Sequence, residues 1–67
     1  MLYWESSYEI VLRLIEEFPN ADIDSVGTDQ LFQWIVALPD FADDPALANE
    51  GILNGILRDW YEEVGSR

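Results

Sequence analysis

The apolar positions of this chain fall at helical spacing in three stretches. Ile10, Val11, Leu14, Ile15 and Phe18 recur with the rhythm of one helix face. Leu31, Phe32, Trp34, Ile35 and Leu38 make a second stretch. Ile52, Leu53, Ile56, Leu57, Trp60 and Val64 make a third. The polar punctuation agrees with this division. Ser6 and Glu9 have the spacing of a capping box, in which the hydroxyl and the carboxylate each take an orphan N–H. Glu9 and Arg13 stand at i,i+4 in the favourable order. Pro19 ends the first helix, because it pushes Phe18 out of the α region. Thr28 is placed to cap the second, with Asp29 in its first turn, and Pro39 stops it. The third starts either at Asp44-Pro45, as cap and first helical residue, or after Asn49 with helix from Glu50. Gly65 is expected to close it in the left-handed conformation.

The connections are polar, with apolar anchors. Residues 20–27 hold Ile23 and Val26, and residues 39–45 are rich in Asp with Phe41 pinning them to the core. Leu2-Tyr3-Trp4 can form a short strand against residues 24–26. The expectation is a mainly all-α, three-helix domain over residues 1–67, monomeric, with at most a very short strand pair. Its core is Ile10, Leu14, Phe18, Leu31, Trp34, Ile35, Leu53, Ile56, Leu57 and Trp60. Trp4 either staples the first helix or meets a partner. Tyr61 points away from the main stripe and is an interface candidate.

Charge changes the picture most. Fourteen carboxylates against three Lys/Arg give a net charge of −11. At 49% hydrophobic with three Trp, the chain is too apolar for a disordered acidic tail. Nucleic acid and anionic membrane surfaces would repel it. A basic protein surface or a cation suits it. There is no Cys and no His. A thiol nucleophile, a disulfide framework, a Cys/His zinc site and the usual general base are therefore excluded. No glycine-rich phosphate loop and no serine elbow occur, so an enzyme is the least expected class. No basic leader and no run of about 20 apolar residues is present, and the expected location is cytoplasmic.

The acids form two groups. Asp40, Asp43 and Asp44 lie in one loop, with Glu50 close behind. Asp59, Glu62 and Glu63 lie at the end of the third helix. The second group opposes the helix dipole and repels itself, at about a few tenths of a kcal/mol each, and Arg58 relieves only part of this. A solvated face that keeps the protein soluble is the plain explanation. Residues that lower local stability without a local return favour a functional one. Oxygen-only ligands suit Ca2+, Mg2+, Mn2+ and iron rather than zinc. The run from Asp22 to Gly27 imitates half of an EF-hand loop, but Val26 and Gln33 stand where ligands are needed. A weak, exposed cation site on Asp40, Asp43, Asp44 and Glu50 fits better. The candidate partner-binding surface consists of these four with Asp59, Tyr61, Glu62 and Glu63.

The stretch Gln33-Trp34-Ile35, Leu38, Asp40-Phe41, Asp43-Asp44-Pro45, Asn49-Glu50, Ile52-Leu53, Ile56-Leu57 and Trp60 resembles the IscX (YfhJ) family, small acidic proteins of bacterial iron–sulfur cluster assembly. Trp4, Glu9-Ile10, Phe18-Pro19 and Val26 fit the same register without gaps, so the resemblance covers nearly the whole chain. It implies a small helical fold of modified winged-helix type. It also implies an adaptor that docks on the cysteine desulfurase IscS, competes there with the frataxin homologue, and binds Fe2+ through exposed carboxylates. Asp40, Asp43, Asp44 and Glu50 match the acidic positions, with Glu63 near the end. Gly27, Phe32 and Asn54 depart from the pattern, where a basic residue, a histidine and a glutamate are expected. The missing acid at position 54 weakens the iron expectation and leaves the docking surface largely intact.

Two functions compete. An adaptor would use its acids to steer onto a basic patch of the desulfurase and do no chemistry itself. An iron carrier would hold Fe2+, which lies low in the affinity series, on sites unable to exclude Zn2+ or Cu2+. An acidic interaction module for another basic partner is a further alternative.

Overall fold

The computed structural model describes residues 1–65. Three α-helices, α1 (Ser7–Glu17), α2 (Thr28–Val36) and α3 (Glu50–Gly65), are joined by connections that each hold one short 3-10 turn, Ile23–Ser25 and Pro45–Leu47. The fold is mainly helical, as the apolar spacing predicts. α3 is the longest helix and the one against which α1 and α2 both pack. Its buried face is Leu53, Ile56 and Trp60. α1 contributes Ile10, Val11 and Leu14, and α2 contributes Leu31 and Ile35.

The helix ends depart from several expectations. Ser6 occupies the N-cap position of α1, but its side chain caps nothing, so no capping box forms. The helix instead begins on backbone contacts: the Ser6 N–H donates to the Tyr3 carbonyl and the Ile10 N–H to the Ser6 carbonyl. Gly27, not Thr28, is the N-cap of α2, and Thr28 is already helical. Both starts considered for α3 are used in succession. Asp44 caps the 3-10 turn, its carboxylate accepting from the Ala46 N–H, and Pro45 is the first residue of that turn. Asn49 then accepts the Ile52 N–H at 2.9 Å, and α3 runs from Glu50. Gly65 is the last helical residue. Among the described residues no glycine has a positive φ, so the expected left-handed cap does not occur.

The strand pairing also differs. Leu2 forms a single parallel bridge with Phe41, not with residues 24–26. The amides of Ser25 and Val26 are spent locally, on Asp22 and Ile23, and cannot make a ladder. The Leu2 N–H instead donates to the Asp40 carbonyl at 2.8 Å, and the Ala42 N–H donates to the Leu2 carbonyl at 2.9 Å. Arg13 ignores Glu9. It reaches Glu16 at 3.5 Å and, across to the loop, Asp40 at 3.4 Å. Its fork can serve two carboxylates on different elements, which the single i,i+4 pairing could not offer.

The core holds most of the expected set and adds to it. Leu2, Trp4, Val11 and Leu38 are buried alongside Ile10, Leu14, Leu31, Ile35, Leu53, Ile56 and Trp60. Phe18, Trp34 and Leu57 are only half-buried, packed against that core rather than inside it. Phe18 and Trp34 stack face to face with centroids 4.1 Å apart, and Trp34 meets Trp60 edge-on at 6.2 Å. The two outer rings therefore shield each other at the rim and leave Trp60 to fill the interior.

Candidate acidic docking surface

The loop after α2 is built by the N-terminal arm. Trp4 is buried, lies flat against Phe32 with centroids 6.1 Å apart, and meets Phe41 edge-on at 4.9 Å. An indole placed so deeply needs a partner for its N–H. The Trp4 Nε1–H donates to the Asp44 carbonyl at 2.8 Å, and the Trp4 backbone N–H donates to Asp43 Oδ2 at 3.0 Å. Asp43 Oδ1 takes the Asp44 N–H at 2.8 Å. With Leu2 on Asp40 and Ala42, the arm and the loop form one hydrogen-bonded seam.

That seam sorts the candidate residues. Asp43 is half-buried, and both its oxygens accept backbone N–H groups. Asp44 is exposed and keeps one oxygen on Ala46. Asp40 is exposed at the rim and pairs with Arg13, an interaction worth about 0–1 kcal/mol in that setting. Glu50 is exposed in the first turn of α3, where the dipole favours an anion. The second acidic group lies toward the other end of α3, nine to thirteen residues on and roughly 14–20 Å away by helical rise. There Asp59, Glu62 and Glu63 surround a shallow recess with Tyr8. No basic residue occupies the last turn of α3. Tyr61 is exposed, as expected, and borders with Val64 a different cleft, beside Ile23, Asp22 and Asp24.

The seven candidate acids therefore fall into two patches, and Tyr61 lies at a separate cleft. Among the described residues no three Asp or Glu come together as a group able to hold a metal ion. A cation meets single carboxylates here, several already engaged with the backbone or with Arg13. Oxygen-ligand ions need several convergent donors for firm binding.

Two features of the site were missed in the sequence. The job of Asp43 as an acceptor for the arm had one available signal, since an N-terminal Trp destined for burial must find an acceptor somewhere. The pairing of Arg13 with Asp40 had none, because residues on separate elements carry no common spacing.

No described helix is long and apolar enough to cross a membrane. An uncharacterized protein of Pseudomonas aeruginosa is 39% identical over 62 residues, which cover 92% of this chain and 94% of that protein. The iron–sulphur cluster assembly family matches residues 2–65. A match across almost the whole chain, on the same residues that build the arm, the loop and α3, means that this protein belongs to the iron–sulphur cluster assembly family, the IscX type.

Proposed function

We propose that the protein is an adaptor of iron–sulfur cluster assembly, which docks its acidic loop on a basic surface of the cysteine desulfurase IscS and performs no chemistry itself. The observation that carries this reading is the seam between the arm and the loop. Fixed positioning of a loop rich in acids is what a defined docking surface needs, and a merely solubilising face has no use for it. The net charge of −11 supplies attraction to a basic patch over a Debye length of about 8 Å. Charges of this kind raise the rate of encounter more than they hold the complex. Competition with the frataxin homologue follows if both use the same basic patch. Fe2+ on this reading is a weakly held ion of single exposed carboxylates, not the cargo.

The test neutralises the two groups of acids separately. Asp40→Asn, Asp44→Asn and Glu50→Gln together remove three charges from the loop patch, and Asn at position 44 retains an acceptor for the Ala46 N–H. Glu9→Gln, Glu16→Gln and Glu17→Gln remove three from α1. In surface plasmon resonance against the desulfurase at two salt concentrations, the loop triple should slow association and flatten its salt dependence. An equal loss from the α1 triple would mean that binding follows net charge and that no defined docking patch exists.

A further inference from the structure

Beside the acidic loop lies a surface groove of about 490 Å3, between the N-terminal arm and the Pro45–Leu47 turn. It is bordered by Tyr3, Trp4, Leu47 and Ile52, with Glu5 and Asp43 as its polar members. Leu47 is 58% exposed and Tyr3 41% exposed. A lone exposed leucine is unremarkable. Here the exposed leucine shares a concave site with an exposed tyrosine, a half-buried isoleucine and the edge of a buried indole.

The groove is also stiff. Trp4 is held by its two hydrogen bonds to residues 43 and 44 and by Phe32 and Phe41. Leu47 sits in a turn fixed by Pro45 and by the Asp44 cap, and the Leu47 N–H itself donates to the Asp44 carbonyl. A preformed apolar recess forfeits little ordering entropy when something enters it.

The charge around it selects the occupant. A second copy of this chain brings another −11 and is repelled. An anionic lipid surface is repelled for the same reason. Glu5 and Asp43 at the groove favour a cation beside the apolar group. We propose that this groove seats one large apolar side chain of a basic protein segment, whose neighbouring Lys or Arg lies against Glu5 and Asp43. The assignment rests on the adaptor reading for its partner, the desulfurase, and divides the labour of docking. The exposed acids bring the two proteins together, and the groove holds them. Anchoring by a few residues in a desolvated pocket, ringed by weaker polar contacts, is how most interfaces hold.

The two parts have different kinetic signatures, which makes them separable. Leu47→Ser and Tyr3→Ser, singly and together, should raise the dissociation rate from the desulfurase by about tenfold, leaving association within about twofold, since contact losses fall mainly on dissociation. Leu47→Met should retain most of the binding. Val64→Ser, which removes a comparably exposed apolar side chain from the far end of α3, should change nothing. Far-ultraviolet circular dichroism and thermal melts check that each variant is folded, and exposed positions make this the expected result. Binding with dissociation rates unchanged in the Leu47 and Tyr3 variants would overturn the groove and leave the acidic adaptor standing. Failure of the unchanged protein to bind the desulfurase would overturn the adaptor reading, and the groove's assignment to that partner with it.

Discussion

Two acidic regions of similar composition do opposite things to the fold. In the loop, Asp43 accepts the Trp4 N–H and so ties the N-terminal arm down, and Asp44 caps the Pro45–Leu47 turn. At the end of α3, Asp59 and its neighbours stand against the helix dipole with no basic residue in the last turn. The first set builds structure, and the second is placed where the helix dipole disfavours an anion. A carboxylate is thus no guide to its own role. What decides is whether unsatisfied N–H groups or unsatisfied carbonyls lie within its reach, since it can serve only the former.

The contrast is breakable, starting with the seam's anchor. Trp4→Ala should cost about 3–5 kcal/mol, measured by urea denaturation, because it removes a buried ring and orphans its contacts with Phe32 and Phe41. A loss below about 1 kcal/mol, the scale of a surface change, would show that the arm is dispensable and the seam ornamental. Asp43→Ala should cost about 1–3 kcal/mol by leaving the Trp4 N–H without its acceptor, and Asp43→Asn should recover part of this. If Asp43→Ala were as harmless as Asp59→Ala, the two acidic regions would not differ in kind.

The helix α3 permits the comparison within one element. Asn49→Ala should destabilise by about 1 kcal/mol, since it strips the acceptor from the Ile52 N–H at the start of the helix. Asp59→Asn, near the other end, should stabilise by about a few tenths of a kcal/mol, through relief of repulsion and dipole strain. Matched thermal melts would register the first as a clear fall and the second as a small rise. A fall for Asp59→Asn would place that carboxylate in a stabilising role the helix end does not suggest.

How much of this was legible beforehand follows from the range of each signal. The three helices could be read because their apolar spacing is local. So could the two candidate starts of α3, since Asp-Pro and Asn-Glu each announce a cap. The partner of Leu2 could not, because the sequence offers two loops of similar polarity and the choice depends on which has free amides. Ser25 and Val26 consume theirs in and beside a 3-10 turn. The expected burial of Trp34 and Phe18 was too deep for a related reason. Both continue the apolar stripes of their segments, but on this side of the core Trp60 fills the interior and leaves Trp34 and Phe18 stacked at the rim. The acids were visible as a group from composition alone. Their division between the loop and the end of α3 was legible too, whereas the assignment of Asp43 to a structural bond rests on a pairing across 39 residues.

The span of that seam has a consequence for the order of events in folding. Trp4 meets Asp43 across 39 residues, so the bond closes a loop that contains α1 and α2. Contacts so far apart in sequence demand their entropy early and return it late, and they form after the local helices rather than before. The acidic loop therefore takes its final shape only once the N-terminal arm has closed onto it. A molecule with an incomplete core carries the same charge but does not present the same surface.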